Sequence, residues 1–284
     1  MRKILFIILS ASVLLYSCVS ESEHEKTVAE KDAIAQERDK LKQELDDIKF
    51  GAPNLLADGK KFYEAKDFTQ SKQKFQMLVD KHPDMPQSIE AKKYLSNIDE
   101  EELWNNASTS EDITISESYI NKYPRGKYIS KANARRSELK ILNMQKAYDA
   151  ASSQNTSYSW KKFLEDYPNH DEASAIKKRI IRLEVDEISG DSETGQMPTF
   201  NQYGTSYSSS SAVRITNNTG CELIVRYSGP DVEMIVIPVG STKSVSLSSG
   251  SYKIAASACG ANYAGSESLH GDYGSTFYIS TTRY

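Results

Sequence analysis

Three segments of this chain end alike. Leu78-Val79-Asp80-Lys81-His82-Pro83, Tyr119-Ile120-Asn121-Lys122-Tyr123-Pro124 and Phe163-Leu164-Glu165-Asp166-Tyr167-Pro168 each run two apolar residues, two polar residues, a ring and a proline. The prolines fall 41 and 44 residues apart. Proline lacks an amide proton and its ring clashes with the preceding turn, so it marks where a helix stops. Each proline is followed by another helical stretch, over 87–107, 127–151 and 171–188. Five and eight residues beyond the prolines stand Ser88 and Ala91, Ile129 and Ala132, and Ala173 and Ile176. That spacing puts small or apolar side chains on one side of the following helix. Residues 54–188 are therefore expected to form α-α helical repeats.

Charge divides the chain. Residues 18–199 carry 34 acidic and 28 basic side chains, whereas residues 200–284 carry five of each. The second part is rich in Ser, Gly, Thr, Val, Ile and Tyr. Two folds of different class are expected, helical and then β, joined by a flexible linker over 189–211, where Ser, Gly and Thr accumulate without periodicity. Over 212–284, Val213 and Ile215 alternate with polar neighbours, and Cys221, Leu223, Val225 and Tyr227 alternate with Glu222, Ile224 and Arg226. Further strands are predicted at Met234–Ile237, Lys243–Leu247, Tyr252–Ala258 and Thr276–Ser280, separated by Asn- and Gly-rich turns. Six or seven short strands suggest a small all-β, immunoglobulin-like sandwich. The net charge is mildly negative, with none of the basic excess expected of a nucleic-acid-binding protein.

The N-terminus reads as an export signal. Arg2 and Lys3 precede an apolar run from Ile4 to Leu15, too short to span a bilayer but suited to a signal peptide. Leu15-Tyr16-Ser17-Cys18 resembles the lipobox of bacterial lipoproteins. The resemblance implies removal of residues 1–17 and a covalent diacylglycerol and acyl lipid on Cys18, so that the chain is a lipoprotein held on the outer membrane. Val19 stands where an Asp would signal inner-membrane retention. The acidic run Ser20-Glu21-Ser22-Glu23-His24-Glu25 resembles a surface-export signal and reads equally as a solvated tether, which leaves both the periplasmic face and the cell surface open. Within the tether domain 18–53, residues 22–49 read as a polar helix in which Ile34, Leu41 and Ile48 recur every seven residues. A short coiled coil and a solvated single-helix stalk both fit.

The first repeat unit resembles a tetratricopeptide repeat: Gly59, Phe62, Ser71, Phe75, Leu78 and Pro83 fall at that motif's spacing. Tyr119 and Pro124, and Phe163 and Pro168, match its C-terminal half in the next two units. The group most similar is the tetratricopeptide lipoproteins of the envelope, among them the lipoprotein of the β-barrel assembly machine and the Tol–Pal coordinator. The resemblance implies docking of a protein partner; a plain helical bundle is the alternative.

Candidate chemistry is sparse. His24, His82, His170 and His270 have no metal-ligand spacing, and no cofactor or metal is expected. Ser71/Lys74, Ser159/Lys162 and Ser174/Lys177 have Ser-x-x-Lys spacing but lie in predicted amphipathic helices without partner motifs. The chain is accordingly read as non-enzymatic. Aromatic residues offer the other signal. Tyr158, Trp160, Phe163 and Tyr167 crowd one helix. In the β-domain, Tyr252, Tyr263, Tyr273, Tyr278 and Tyr284 are candidates for stacking on a glycan. Cys221 and Cys259 remain after Cys18, and a disulfide between them suits an oxidising compartment. Cys259 stands one residue out of phase with the apolar face of Tyr252-Ile254-Ala256-Ala258, so the bridge requires that strand either to bulge or to end before it.

Overall fold

The computed structural model describes residues 21–204 and 209–278. Cys18, the segment read as a signal peptide and Tyr284 lie outside them. Among the described residues eight helices precede nine strands, so the chain is α and then β. The helices are α1 (Glu21–Phe50), α2 (Ala52–Glu64), α3 (Phe68–Lys81), α4 (Pro86–Thr109), α5 (Ile113–Lys122), α6 (Ile129–Gln154), α7 (Ser157–Asp166) and α8 (Ala173–Gly190). Two compact units divide within α6, at Leu139 and Lys140.

Helices α3, α5 and α7 start and stop by the same devices. Asp67 and Asp112 accept the amides of Gln70 and Thr114, and Thr156 forms a reciprocal capping box with Ser159. Each cap satisfies amides that the first turn leaves unpaired. At the other end stand the three rings read from the sequence. His82, Tyr123 and Tyr167 share one backbone conformation, φ −132, −126 and −131°, and donate their amides to the carbonyls of Leu78, Tyr119 and Phe163. The prolines that follow are exposed and end each helix.

In the N-terminal unit, buried Gly59 of α2 lies against the Phe75 ring of α3, and Phe75 and Leu78 are fully buried in one core with Ala91 and Ile98 of α4, whereas Phe62 is half-buried and the neighbouring Tyr63 packs on that core instead. Ser71 donates to the Gly59 carbonyl (2.9 Å). His82 Nε2 donates to the Phe50 carbonyl (2.7 Å), tying the end of α1 to the end of α3. Tyr119 is buried with Ala107 and Ala132. Its hydroxyl donates to Glu100 Oε1 (2.6 Å) and accepts the Tyr128 amide (2.9 Å). Burial, together with the Glu100 carboxylate, pushes that phenol up to about 12. The hydroxyl thus stays protonated and holds the turn into α6.

In the C-terminal unit, the later part of α6 packs with α7 and α8 around Trp160, Phe163, Ile176 and Ile180. The strands are β1 (Gly195–Gln196), β2 (Asn201–Gln202), β3 (Ser210–Asn217), β4 (Leu223–Ser228), β5 (Val232–Ile237), β6 (Thr242–Ser248), β7 (Gly250–Ala258), β8 (Ala261–Leu269) and β9 (Asp272–Phe277). They form two mixed sheets, ordered β1-β8-β7-β4-β5 and β2-β9-β3-β6. β3 runs parallel to β9 and antiparallel to β6. The two-sheet arrangement is that of a sandwich with a strand order of its own: lettered A to G, β3–β9 run F-E-B-C and G-A-D, where a constant-type immunoglobulin domain has ABED and CFG. Val213, Ile215, Leu223, Val225, Tyr227, Tyr252, Ile254 and Phe277 fill the core between the sheets.

The segment read as a flexible linker is largely tied down. β1 pairs parallel to β8, the Met197 amide donates to the Ala264 carbonyl (3.1 Å), and β2 pairs with β9. Phe200, 6% exposed, enters the β core. Two apolar side chains in an otherwise polar stretch, with backbone pairing at both sheet edges, are enough to anchor it. Residues 205–208 lie outside the described residues.

Candidate functional site

Two surfaces of the C-terminal unit are grooved. The first is a groove of about 450 Å3 between α6 and α7. Ala147, Ala150 and Ala151 form one wall; Tyr158, Lys162, Phe163 and Asp166 form the other. Alanines leave the α6 backbone open to close approach. Phe163 supplies a buried apolar floor, and Tyr158 stands 72% exposed at the rim. Of the aromatic cluster read from this helix, Trp160 is fully buried, Tyr167 is half-buried against Phe163, and Tyr158 is the exposed large ring.

The second is a groove of about 550 Å3 on the outer face of the four-stranded sheet. Side chains alternate across a strand, so Val213 and Ile215 point into the core while Arg214 and Thr216 point out. Gly274 and Thr276 of β9 lie beside them in register. The floor is accordingly polar, rich in Ser and Thr. The Tyr203 ring, 63% exposed, lies over Gly274, and Tyr278, 70% exposed, stands at the groove's edge. Arg214 makes no ion pair among the described residues. Of the tyrosines expected to stack on sugars, Tyr252 and Tyr273 are core residues and Tyr263 is half-buried against Phe277; Tyr278 alone among those described is freely exposed. Tyr203 was missed because it fell in the segment read as a linker.

The remaining candidates have structural partners. Cys221 and Cys259 are bonded, with Cα atoms 5.3 Å apart. The phase problem is resolved at the β7–β8 hairpin. Ala258 pairs with Ala261, leaving Cys259 and Gly260 as a two-residue turn with φ of 51° and 78°. Positive φ at both positions suits a type I′ turn, so β7 ends before the cysteine. Asn217, in the sequence Asn-Asn-Thr, is fully buried and donates to the Cys221 and Ile237 carbonyls, holding the bridge's other end. Ser159 donates to the Ala151 carbonyl (3.1 Å), the same helix-to-helix role as Ser71. His170 packs on Tyr148 and Phe163. Among the described residues no group of three or more His, Cys, Asp or Glu could hold a metal ion, and no helix is long and apolar enough to cross a membrane.

Helix α8 lies along the outer face of the five-stranded sheet, against β4, β5, β7 and β8. There Glu184, 7% exposed, receives Arg226 Nε (2.7 Å) on one oxygen and Lys161 on the other. Arg226, 8% exposed, also donates to Ser257 Oγ (3.1 Å). Burial pushes the Glu184 carboxyl up, but hydrogen bonds from Lys161 and Arg226 and their charges outweigh it and hold it below the ordinary carboxylate range.

Helical pairs are followed by a two-sheet β-domain, and both parts of the C-terminal unit carry open grooves. Residues 186–280 match the family model described as Domain of unknown function (DUF6759). The match takes in the last residues of α8 and all nine strands. No curated protein matches the chain, and neither does any solved structure.

Proposed function

We propose that this chain is a lipid-anchored, non-enzymatic lipoprotein of the cell envelope that docks a protein partner through its tetratricopeptide-like helical repeats. The α6–α7 groove carries the reading: an apolar floor, an alanine wall and an exposed tyrosine suit an inserted helix or extended segment with apolar anchors. Stacked helical pairs commonly bind on such surfaces. Lipid on Cys18 tethers the chain to the outer membrane, at its periplasmic face or the cell surface, and α1 spaces the repeats from it.

A second reading, glycan or peptidoglycan binding, is favoured by the sheet-face groove, where Tyr203 and Tyr278 flank Arg214 and a hydroxyl-rich floor. One experiment separates the two. Photo-crosslinking side chains are placed at 158 and at 203 in cells producing the full chain. The expected result is a discrete protein adduct at 158, reduced tenfold or more by Ala150→Arg, which fills the groove. Cys18→Ser should release the chain from membranes. Adducts to polysaccharide at 203 and none at 158 would replace the scaffold reading with the glycan one.

A further inference from the structure

We propose that α1 pairs two copies of this chain as a parallel, in-register coiled coil. The helix runs unbroken for 30 residues, and its large apolar side chains face solvent: Ile34 is 67% exposed, Leu41 57%, Leu45 48% and Ile48 65%. With Thr27, Ile34, Leu41 and Ile48 at heptad position d, Leu45 falls at a, in a row that also holds His24, Lys31 and Arg38. The flanking positions then sort by charge. Position g is Glu30, Glu37 and Glu44; position e is Ala35, Lys42 and Lys49.

That sorting selects both partner and direction. In a parallel pair, g of one helix faces the e position five residues on in the other, because the two seams are flanked by these rows. Glu37 therefore meets Lys42 of the second copy, and Glu44 meets Lys49. The exchange is reciprocal, giving four pairs. In an antiparallel pair the g rows would face each other and set glutamate against glutamate. Within one chain Glu37, Lys42 and Lys49 make no ion pair among the described residues, and Glu44 has only a 3.9 Å approach from Lys40. The outer row, Glu25, Asp32, Asp39 and Asp46, points away from this seam and stays solvated.

Lys31 and Arg38 set the copy number. In a two-helix seam long basic side chains lay their stems over the core and reach water at its edge. A third helix would crowd three cations into each of those layers. The pairing uses α1 alone and does not depend on lipid at Cys18 or on any ligand of the repeats.

The test uses the full chain in detergent. Leu41→Cys should form a disulfide-linked dimer on mild oxidation, because equivalent d positions meet across a parallel seam, while Asp39→Cys on the outer row should not. Light scattering should give the mass of two copies. Glu37→Lys with Glu44→Lys should lower the dimer fraction at least tenfold at equal concentration, and adding Lys42→Glu and Lys49→Glu should restore it. A one-copy or three-copy mass, equal crosslinking at 39 and 41, or no restoration by the charge swap would overturn the proposal.

Discussion

Arg226→Leu should destabilise the C-terminal unit by about 3–5 kcal/mol, the range for removing one partner of a buried ion pair. Glu184 and Arg226 are both nearly inaccessible, and the guanidinium supplies one of the two cations on the carboxylate. Without it, Glu184 keeps Lys161 but loses the bond on its second oxygen, beneath a helix that admits little water. The cost is that of a buried charge left half-compensated, so replacing both residues should cost much less. Glu184→Leu with Arg226→Leu is expected to recover most of the loss, a coupling that a double-mutant cycle reads directly. Urea unfolding of the full chain, with hydrogen exchange of the α8 and β4 amides as the local probe, measures it. The pH dependence has a definite sign. The folded carboxyl titrates below its ordinary range. Its contribution is therefore present above the ordinary glutamate pKa and is lost as pH falls through the lower, folded value. In Arg226→Leu that acid-side loss should shrink. A single-variant loss under about 1 kcal/mol, typical of a surface pair, would show that the pair is solvated.

This pair also marks where reading the sequence stops short. Arg226 sits at an outward position of an alternating strand, and alternation alone makes such a residue solvent-facing. What buries it is α8, more than 30 residues upstream, laid on a sheet face that the pattern of β4 assigns to water. Ala255, also outward and fully buried, has the same cause. The C-terminal ends of α3, α5 and α7 were legible because their signal is local: a ring and a proline after the last turn. The inward faces of β3 and β4 were legible from period-two alternation. β8 was not, since Ala261–Leu269 is mostly Ala, Gly, Ser and Glu and is half-buried along most of its length, without a two-sided contrast. β1 and β2 are two residues each and owe their pairing to the edges they meet. The same holds for the sheet-face groove. Arg214 and Thr216 could be placed outward from their own strand, but Tyr203 comes to lie over Gly274 only through β2, whose position follows from its pairing with β9.

Phe75→Ala should cost about 3–5 kcal/mol in the N-terminal unit, the range for removing a buried phenyl ring. Phe75 is fully buried on α3, stacked on Tyr94 at 4.9 Å between centroids and 16° between planes. Its ring fills the space above Gly59, where a β-carbon would fall 2.4 Å from Phe75 Cε1. The glycine and the ring are therefore one fitted contact between α2 and α3. Removing the ring leaves a cavity that neither side can close, because Gly59 has no side chain to move into it and the Ser71 bond to the Gly59 carbonyl fixes the helix spacing. Gly59→Ala is the converse test. It overfills the same space and should cost about 1–3 kcal/mol, while in the Phe75→Ala background the added methyl should be tolerated or mildly favourable. Hydrogen exchange of the α2 and α3 amides in the full chain reads both effects locally. Where those amides exchange through opening of this unit, the Phe75→Ala loss corresponds to exchange roughly a hundredfold to several thousandfold faster, at about 1.4 kcal/mol per decade. A change below fivefold, or additive effects of the two substitutions, would mean that ring and glycine do not share a packed contact and that the helical pair is held elsewhere.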